Sequence, residues 1–217
     1  MCDWRERVPV LDDGVVTLRA PEARDVGAIV EWARDPDTLR WTTIPDPEGG
    51  YGPTDAHGFL DEMVAPGWRS GRTLTWVIEA ERDGRRQACG TIDLRADGDL
   101  LGPESDRPRE TSVGYVLHPA VRGRGLTVRA LRLLLEHGFD TLGVSVIRWQ
   151  AGVGNDASWR VAARVGFTFE GVGRRAGMLG GEPVDMWQAS ILAGDPREPN
   201  PHPVTPGYPQ QPPVAAG

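Results

Sequence analysis

The sequence predicts an α/β domain with mixed sheet pairing, and three observations carry that prediction. Strand-like and helix-like stretches alternate from Val15 to Leu192, the pattern of a layered α/β domain. One strand passes through a junction rich in glycine and arginine, Arg122-Gly123-Arg124-Gly125-Leu126-Thr127, into the most regular helix of the chain. With 217 residues, 39% hydrophobic and 25% charged, the composition suits one globular domain with an appendage.

Taken in order, Val15-Val16-Thr17-Leu18-Arg19 reads as a first strand. A short helix from Asp25 to Ala33 follows, with Val26, Ile29 and Val30 on one face, and Asp35-Pro36 marks its end. The stretch from Trp41 to Pro53 is rich in Pro and Gly and reads as a loop, with Thr54 capping a second helix to about Trp68. Thr73 to Ile78 and Cys89 to Leu94 form paired strands through the turn Arg82-Asp83-Gly84. A polar loop from Ala96 to Arg109 leads to the strand Thr111 to Leu117.

The regular helix runs from Thr127 to Phe139, with Val128, Leu131, Leu134 and Leu135 at helical spacing and Gly138 close to its end. Ile147 to Ala151 is another strand, and Ala157 to Val165 a short helix stopped by Gly166. Two last strands, Thr168 to Gly171 and Asp185 to Leu192, flank a glycine-rich loop. Trp76, Trp149 and Trp187 fall in strand patterns and are expected in the core, whereas Trp41 is placed to wall an acceptor pocket.

From Gly194 onward Pro, Gln and Gly dominate. Residues 1–193 are therefore expected to form the domain, and 194–217 a Pro-rich disordered tail. A net charge of −7 argues against a nucleic-acid binder, which would carry a basic stripe, and is compatible with a cationic substrate. All 24 basic residues are arginine, a composition typical of GC-rich bacterial coding sequences. Only Cys2 and Cys89 occur, which form neither a disulfide framework nor a metal site. No apolar run approaches the ~18 residues of a membrane span, so the expected location is the cytoplasm.

The junction Arg122 to Thr127 carries the chemistry. Glycines there let backbone N–H groups approach a ligand, and the helix start adds unpaired donors and partial positive charge. Diphosphate suits this arrangement, with Arg122 and Arg124 adding charge. A nucleotide P-loop is excluded because Gly125 is followed by Leu126 where lysine is required. A dinucleotide fingerprint needs a third glycine at the position of Val128. A plain glycine turn with surface arginines is the remaining alternative.

In context, the junction resembles the pyrophosphate motif Arg/Gln-x-x-Gly-x-Gly/Ala of the GNAT acetyltransferase family. Arg122, Gly125 and Thr127 stand at its positions, and Thr127 departs from the usual small residue. Asn155-Asp156-Ala157-Ser158 followed by Arg164-Val165-Gly166-Phe167 resembles the family's Asn-x-x-Ser … Gly-Phe segment. Gly181-Glu182-Pro183-Val184-Asp185-Met186-Trp187 is similar to the RimJ/RimL branch, which acetylates protein N-terminal amines and related substrates.

The resemblance spans about Val15 to Leu192. It implies the GNAT fold: a twisted mixed sheet of about seven strands with four helices, splayed between its fourth and fifth strands to admit the cofactor. It also implies an N-acetyltransferase that uses acetyl-CoA as co-substrate and attacks directly through a tetrahedral intermediate. The cofactor residues so implied are the backbone of Val116, Leu117 and His118, the loop Arg122, Gly123, Arg124, Gly125, Leu126 and Thr127, and Asn155 and Ser158. Asn155 would bond the pantetheine arm and Ser158 would stand near the thioester sulfur as proton donor. Capping of the helix that follows is the structural reading of the same two residues.

Where many family members have Glu-Ile-Gly-Tyr, this chain has Ser112-Val113-Gly114-Tyr115, so that carboxylate is missing. Glu110, on the same strand face, is the substitute base, with Asp93 a second candidate. The branch's Arg-x-Ala-Glu pattern reads Arg174-Arg175-Ala176-Gly177, which removes another carboxylate. The acceptor is expected to be a primary amine, either a protein N-terminus or a small molecule, with no nucleic acid, no membrane and room for a homodimer. A succinyl or other acyl-CoA transferase, and a non-catalytic CoA-binding sensor, are the alternatives.

Overall fold

The structure, a computed structural model, describes residues 4–103 and 108–199; Cys2 and residues 200–217 of the expected tail lie outside the described residues. Its strands are β1 (Leu11–Asp12), β2 (Thr17–Arg19), β3 (Thr73–Arg82), β4 (Arg85–Arg95), β5 (Arg109–Leu117), β6 (Val144–Gly152), β7 (Thr168–Leu179) and β8 (Glu182–Leu192). They form one mixed sheet in the order β1-β2-β3-β4-β5-β6-β8-β7. All neighbours are antiparallel except β5 and β6. The strand beyond the expected seven is β1, too short at two residues to carry an alternation pattern.

Local chemistry sets the hairpins. Asp83 and Gly84 both take positive φ, 54° and 73°, in a two-residue turn whose twist matches the strands it joins, so Arg82 faces Arg85. Gly180 and Gly181 do the same for β7 and β8. That hairpin corrects the expected glycine-rich loop: residues 172–179 are strand, with a register shift between Gly173 and Gly177. Pairing with β8 supplies the backbone partners that so glycine-rich a stretch does not specify alone.

The helices are α1 (Val26–Ala33), α2 (Pro36–Trp41), α3 (Pro53–Gly58), α4 (Ala65–Ser70), α5 (Leu126–Glu136) and α6 (Asp156–Arg164). A π-helical segment, Phe59–Val64, joins α3 to α4 in one run. Its cap is Gly52, whose N–H donates to Asp55 at 2.7 Å, not Thr54. Asp35-Pro36 ends α1 as expected and also starts α2: Asp35 accepts from the Thr38 N–H and Pro36 fills the first turn. Trp41 is thus the last residue of a helix rather than part of a loop.

The α5 helix gives way at His137 to a π-helical turn, His137–Thr141. Gly138 lies inside that turn and lets it close on the sheet: a Cβ there would sit 3.1 Å from the Ile147 side chain. α5 and α6 cover one face of the sheet, and α1 lies on the other with Glu31 against His118. Trp76, Trp149 and Trp187 are all buried in the core. The first residues after β8 are not free of the domain. Arg197 pairs with Asp140 at 3.0 Å and stacks over Phe139, and the carbonyls of Pro196 and Glu198 close over Gly166.

The feature that positions the site is where the parallel ladder stops. β5 and β6 are in register from Arg109↔Val144 to Val113↔Trp149, and no further. β5 continues to Leu117 and β6 to Gly152, so the sheet splits open between them.

Candidate active site

At the end of the open lip of β5, Pro119–Val121 makes a short 3-10 turn and the chain enters the glycine junction. Gly123 and Gly125 take φ of 78° and 76°, a left-handed geometry that L side chains adopt only with strain. Side-chain carbons built on either would meet nothing within 4 Å, so the space above them is open. The first helical bond runs from the Arg129 N–H to the Gly125 carbonyl, which leaves the N–H groups of Leu126, Thr127 and Val128 without intrahelical partners. This junction fits the diphosphate of coenzyme A by its open space and its free donors. Arg124 is exposed and makes no ion pair among the described residues.

Arg122 is placed differently. Its Nη2 donates to Asp35 Oδ2 at 2.5 Å and to Thr38 Oγ at 2.8 Å, and its Nε to the Leu117 carbonyl at 3.3 Å. His118 is likewise committed. Its Nδ1 accepts from the Ala120 N–H at 3.1 Å and its Nε2 lies 2.8 Å from Glu31, so neither ring nitrogen faces the split.

The backbone of the open lip is divided between its two sides. Val116 turns its carbonyl toward β4, where a Cβ on Gly90 would sit 2.1 Å from it, and the His118 N–H donates to the Cys89 carbonyl. Because backbone groups alternate sides along a strand, those facing the split belong to Tyr115 and Leu117. Of the three backbone positions expected from sequence, Leu117 alone looks into the split.

Across the split, Asn155 caps α6 by accepting from the Ser158 N–H at 3.1 Å. Ser158 Oγ lies 2.9 Å from Tyr115 Oη, and Trp149 Nε1 donates to both oxygens, at 3.0 Å to Tyr115 and 3.2 Å to Ser158. Tyr115 Oη also lies 3.1 Å from the Ser158 carbonyl. Burial, only partly offset by the bonds from Ser158 and Trp149, pushes the Tyr115 phenol up to about 12. It is therefore a proton carrier at neutral pH and not an anion.

The opposite face of β5 holds a carboxylate. Asp93 on β4 pairs with Gly114, and Ile92 with Tyr115, so Asp93 and Tyr115 lie on opposite faces just where the ladder ends. Asp93 Oδ1 is buried without a hydrogen bond, although Arg95 Nε stands 2.7 Å away and Arg95 Nη2 donates to Oδ2 at 3.0 Å. Burial pushes the Asp93 carboxyl above the usual carboxylate range, against the pull of Arg95 and of the Gly114 N–H.

Glu110 shares that face but lies four residues before Gly114, roughly 13 Å along the strand at ~3.3 Å per residue. It is exposed and paired with Arg148 at 3.0 Å, in the zipped part of the sheet. The structure thus brings Ser158, Asn155, Leu117 and the glycine junction to the split, and does not bring Glu110 there. Tyr115 and Trp149 were not read as site residues from sequence. Their signal was the alternation that puts Val113 and Tyr115 on one strand face, next to the only Asn-x-x-Ser segment.

The sheet is thus split between two parallel strands, with a helix start rich in free backbone donors at its mouth. Residues 16–168 match the family described as acetyltransferase (GNAT) domain, and the chain belongs to that family of N-acetyltransferases. It is 25% identical over 190 residues to "Uncharacterized N-acetyltransferase YoaA" of Bacillus subtilis, covering 88% of this chain and 99% of that protein. Mycobacterium smegmatis RimJ in complex with CoA-disulfide superposes with a TM-score of 0.70 at 26% identity, over 86% of this chain and 87% of RimJ. RimL, a ribosomal L7/L12 alpha-N-protein acetyltransferase solved with coenzyme A, shares the fold with a TM-score of 0.69 at 18% identity, over 85% and 98%. No described helix is long and apolar enough to cross a membrane.

Proposed function

We propose that this chain transfers the acetyl group of acetyl-CoA to a primary amine, either a protein N-terminus or a small molecule. The observation that carries the reading is the split beyond Val113 and Trp149, with donors on one face and a carboxylate on the other. The backbone N–H groups at the start of α5 and the Arg124 guanidinium hold the diphosphate. The slot-facing backbone of Tyr115 and Leu117 pairs with the pantetheine arm as an added strand would. The Asn155 side-chain amide, whose oxygen serves as the α6 cap, keeps its N–H groups for the same arm.

Asp93 takes the proton from the attacking amine. Its raised carboxyl pKa brings it nearer to working pH than an exposed acid would be, and it stands beside Gly114 at the apex of the split. As nitrogen bonds to the acyl carbon and the carbon–sulfur bond breaks, the departing thiolate receives a proton from Ser158, backed by Tyr115. Trp149 donates to both oxygens, and the Ser158 hydroxyl proton is directed into the split when Tyr115 gives its own proton to Ser158 Oγ. Proton removal and proton delivery are thus on opposite faces of the sheet, with the reacting carbon between them.

Calorimetry with acetyl-CoA, followed by free-thiol release with spermidine, L-amino acids, kanamycin and a peptide with a free N-terminal serine, tests the reading. Binding of acetyl-CoA with turnover of at least one amine is expected. Absence of acetyl-CoA binding would overturn it.

A further inference from the structure

We infer that Arg122, the first residue of the glycine junction, is not a phosphate ligand in this chain but a positioning residue that straps α2 across the mouth of the split. The inference rests on the acetyl-CoA reading above for the identity of the split, though its first readout does not depend on ligand.

All three guanidinium nitrogens of Arg122 are spoken for. Nη2 bridges Asp35 and Thr38, Nη1 stands 3.6 Å from Asp37, and Nε reaches the Leu117 carbonyl. One side chain therefore joins the N-terminus of α2 to the end of β5. The other end of α2 is seated on the opposite lip. A Cβ on Gly152 would lie 3.3 Å from the Trp41 ring, one on Gly154 3.7 Å from it, and the Gly152 position also touches Leu179 of the β7–β8 hairpin. With six residues, α2 is about 9 Å long, enough to span from one lip to the other. The half-buried Trp41 ring then forms a wall where the acceptor must enter.

The energetics favour the strap over the phosphate. Asp35 is half-buried, with a side-chain exposure of 16%. Burial opposes its charge, yet the bonds from Arg122 and Thr38 more than offset this and hold the carboxyl below the usual range. Swinging Arg122 to a phosphate would take from that carboxylate its charge partner and leave it only the two bonds from Thr38, and would also give up the Thr38 and Leu117 acceptors of Arg122. Arg124, two residues on, is exposed and has no ion pair among the described residues to give up.

The test compares Arg122→Ala, Asp35→Asn and Arg124→Ala by amide hydrogen exchange without ligand and by calorimetry with acetyl-CoA. Asparagine caps helices as well as aspartate, so Asp35→Asn removes the charge pairing and keeps the α2 cap. Both Arg122→Ala and Asp35→Asn should raise exchange at residues 38–42 about tenfold, and change the acetyl-CoA Kd less than about threefold. Arg124→Ala should weaken acetyl-CoA about fivefold or more and leave exchange in α2 as it was. For the amine turned over fastest, Arg122→Ala and Asp35→Asn should raise KM more than they lower kcat.

A threefold or greater loss of acetyl-CoA affinity in Arg122→Ala, or unchanged α2 exchange in either variant, overturns the strap. A wild-type protein that fails to bind acetyl-CoA would instead sink the functional reading, while the exchange data still decide whether the strap exists.

Discussion

Two halves of a single strand behave in opposite ways. From Arg109 to Val113, β5 is zipped to β6, and the charged side chains there find partners: Glu110 and Arg148 meet at 3.0 Å, with Glu170 near the same guanidinium, while the buried Thr111 hydroxyl has no hydrogen bond. From Gly114 to Leu117 the ladder is open, and polar groups are left waiting. The slot-facing backbone of Tyr115 and Leu117 has no strand opposite, and across from Gly114 the buried Asp93 Oδ1 accepts no hydrogen bond. The Asp93 carboxylate is held there by its ion pair with Arg95, and the free backbone edge is what an added extended segment could pair with. Under the proposed function the zipped half carries stability and the open half carries chemistry, although their residues are of the same kinds.

That contrast is breakable, and Asp93 tests it hardest. Asp93→Asn should lower kcat by about 10²–10⁴, the usual range for losing a general base, with the acetyl-CoA Kd nearly unchanged. The pH profile sharpens the point. A base acts deprotonated, so activity should rise with pH through the Asp93 pKa, and that acid limb should lie above the usual carboxylate range. An acid limb in the ordinary carboxylate range, or one that survives in Asp93→Asn, would transfer the role elsewhere.

At the mouth of the open half, Gly125→Val places a β-branched residue at φ 76° and fills the space over the helix start. The backbone strain alone is about 1–2 kcal/mol, and loss of the diphosphate donors should bring the drop in acetyl-CoA affinity to about thirtyfold or more by calorimetry. Tyr115→Phe is a smaller change. It removes one partner of Ser158 and Trp149 and should reduce kcat about tenfold, with a modest fall in Tm because Ser158 still accepts from Trp149.

The smallest effect belongs to the zipped half. Glu110→Gln breaks only an exposed pair with Arg148, worth about 0–1 kcal/mol, so kcat should move less than about twofold. A loss near that of Asp93→Asn would erase the distinction between the two halves.

What could be read from sequence follows the range of the forces involved. The turn at Asp83-Gly84 was legible because its two positive φ values are a property of adjacent residues. The same holds for Gly123 and Gly125, and for Gly166 at φ 100°. Asn155 was legible as a cap because that role depends on the short spacing to Ser158. The α2 helix is hidden in the sequence because Asp35-Pro36 is a stop signal for α1, whereas the same pair also caps and opens the next helix. The residues from Val172 to Leu179 looked like a loop because glycine carries no strand signal; their partners sit across the hairpin. Glu110 looked like a base because strand alternation fixes a face, but alternation says nothing about where along the strand a ladder ends.

The sequence by itself determined the family, the α/β class, the hairpin turns and the glycine junction that opens α5. These depend on backbone conformations and spacings set within a few residues. Only the tertiary structure decided that the sheet opens after Val113, that Tyr115, Trp149 and Ser158 converge there, and that Arg122 is held by Asp35. Those facts join residues up to 87 positions apart. An arginine beside a glycine turn is equally suited to a phosphate and to a carboxylate, and the neighbour delivered by the fold determines which one it holds.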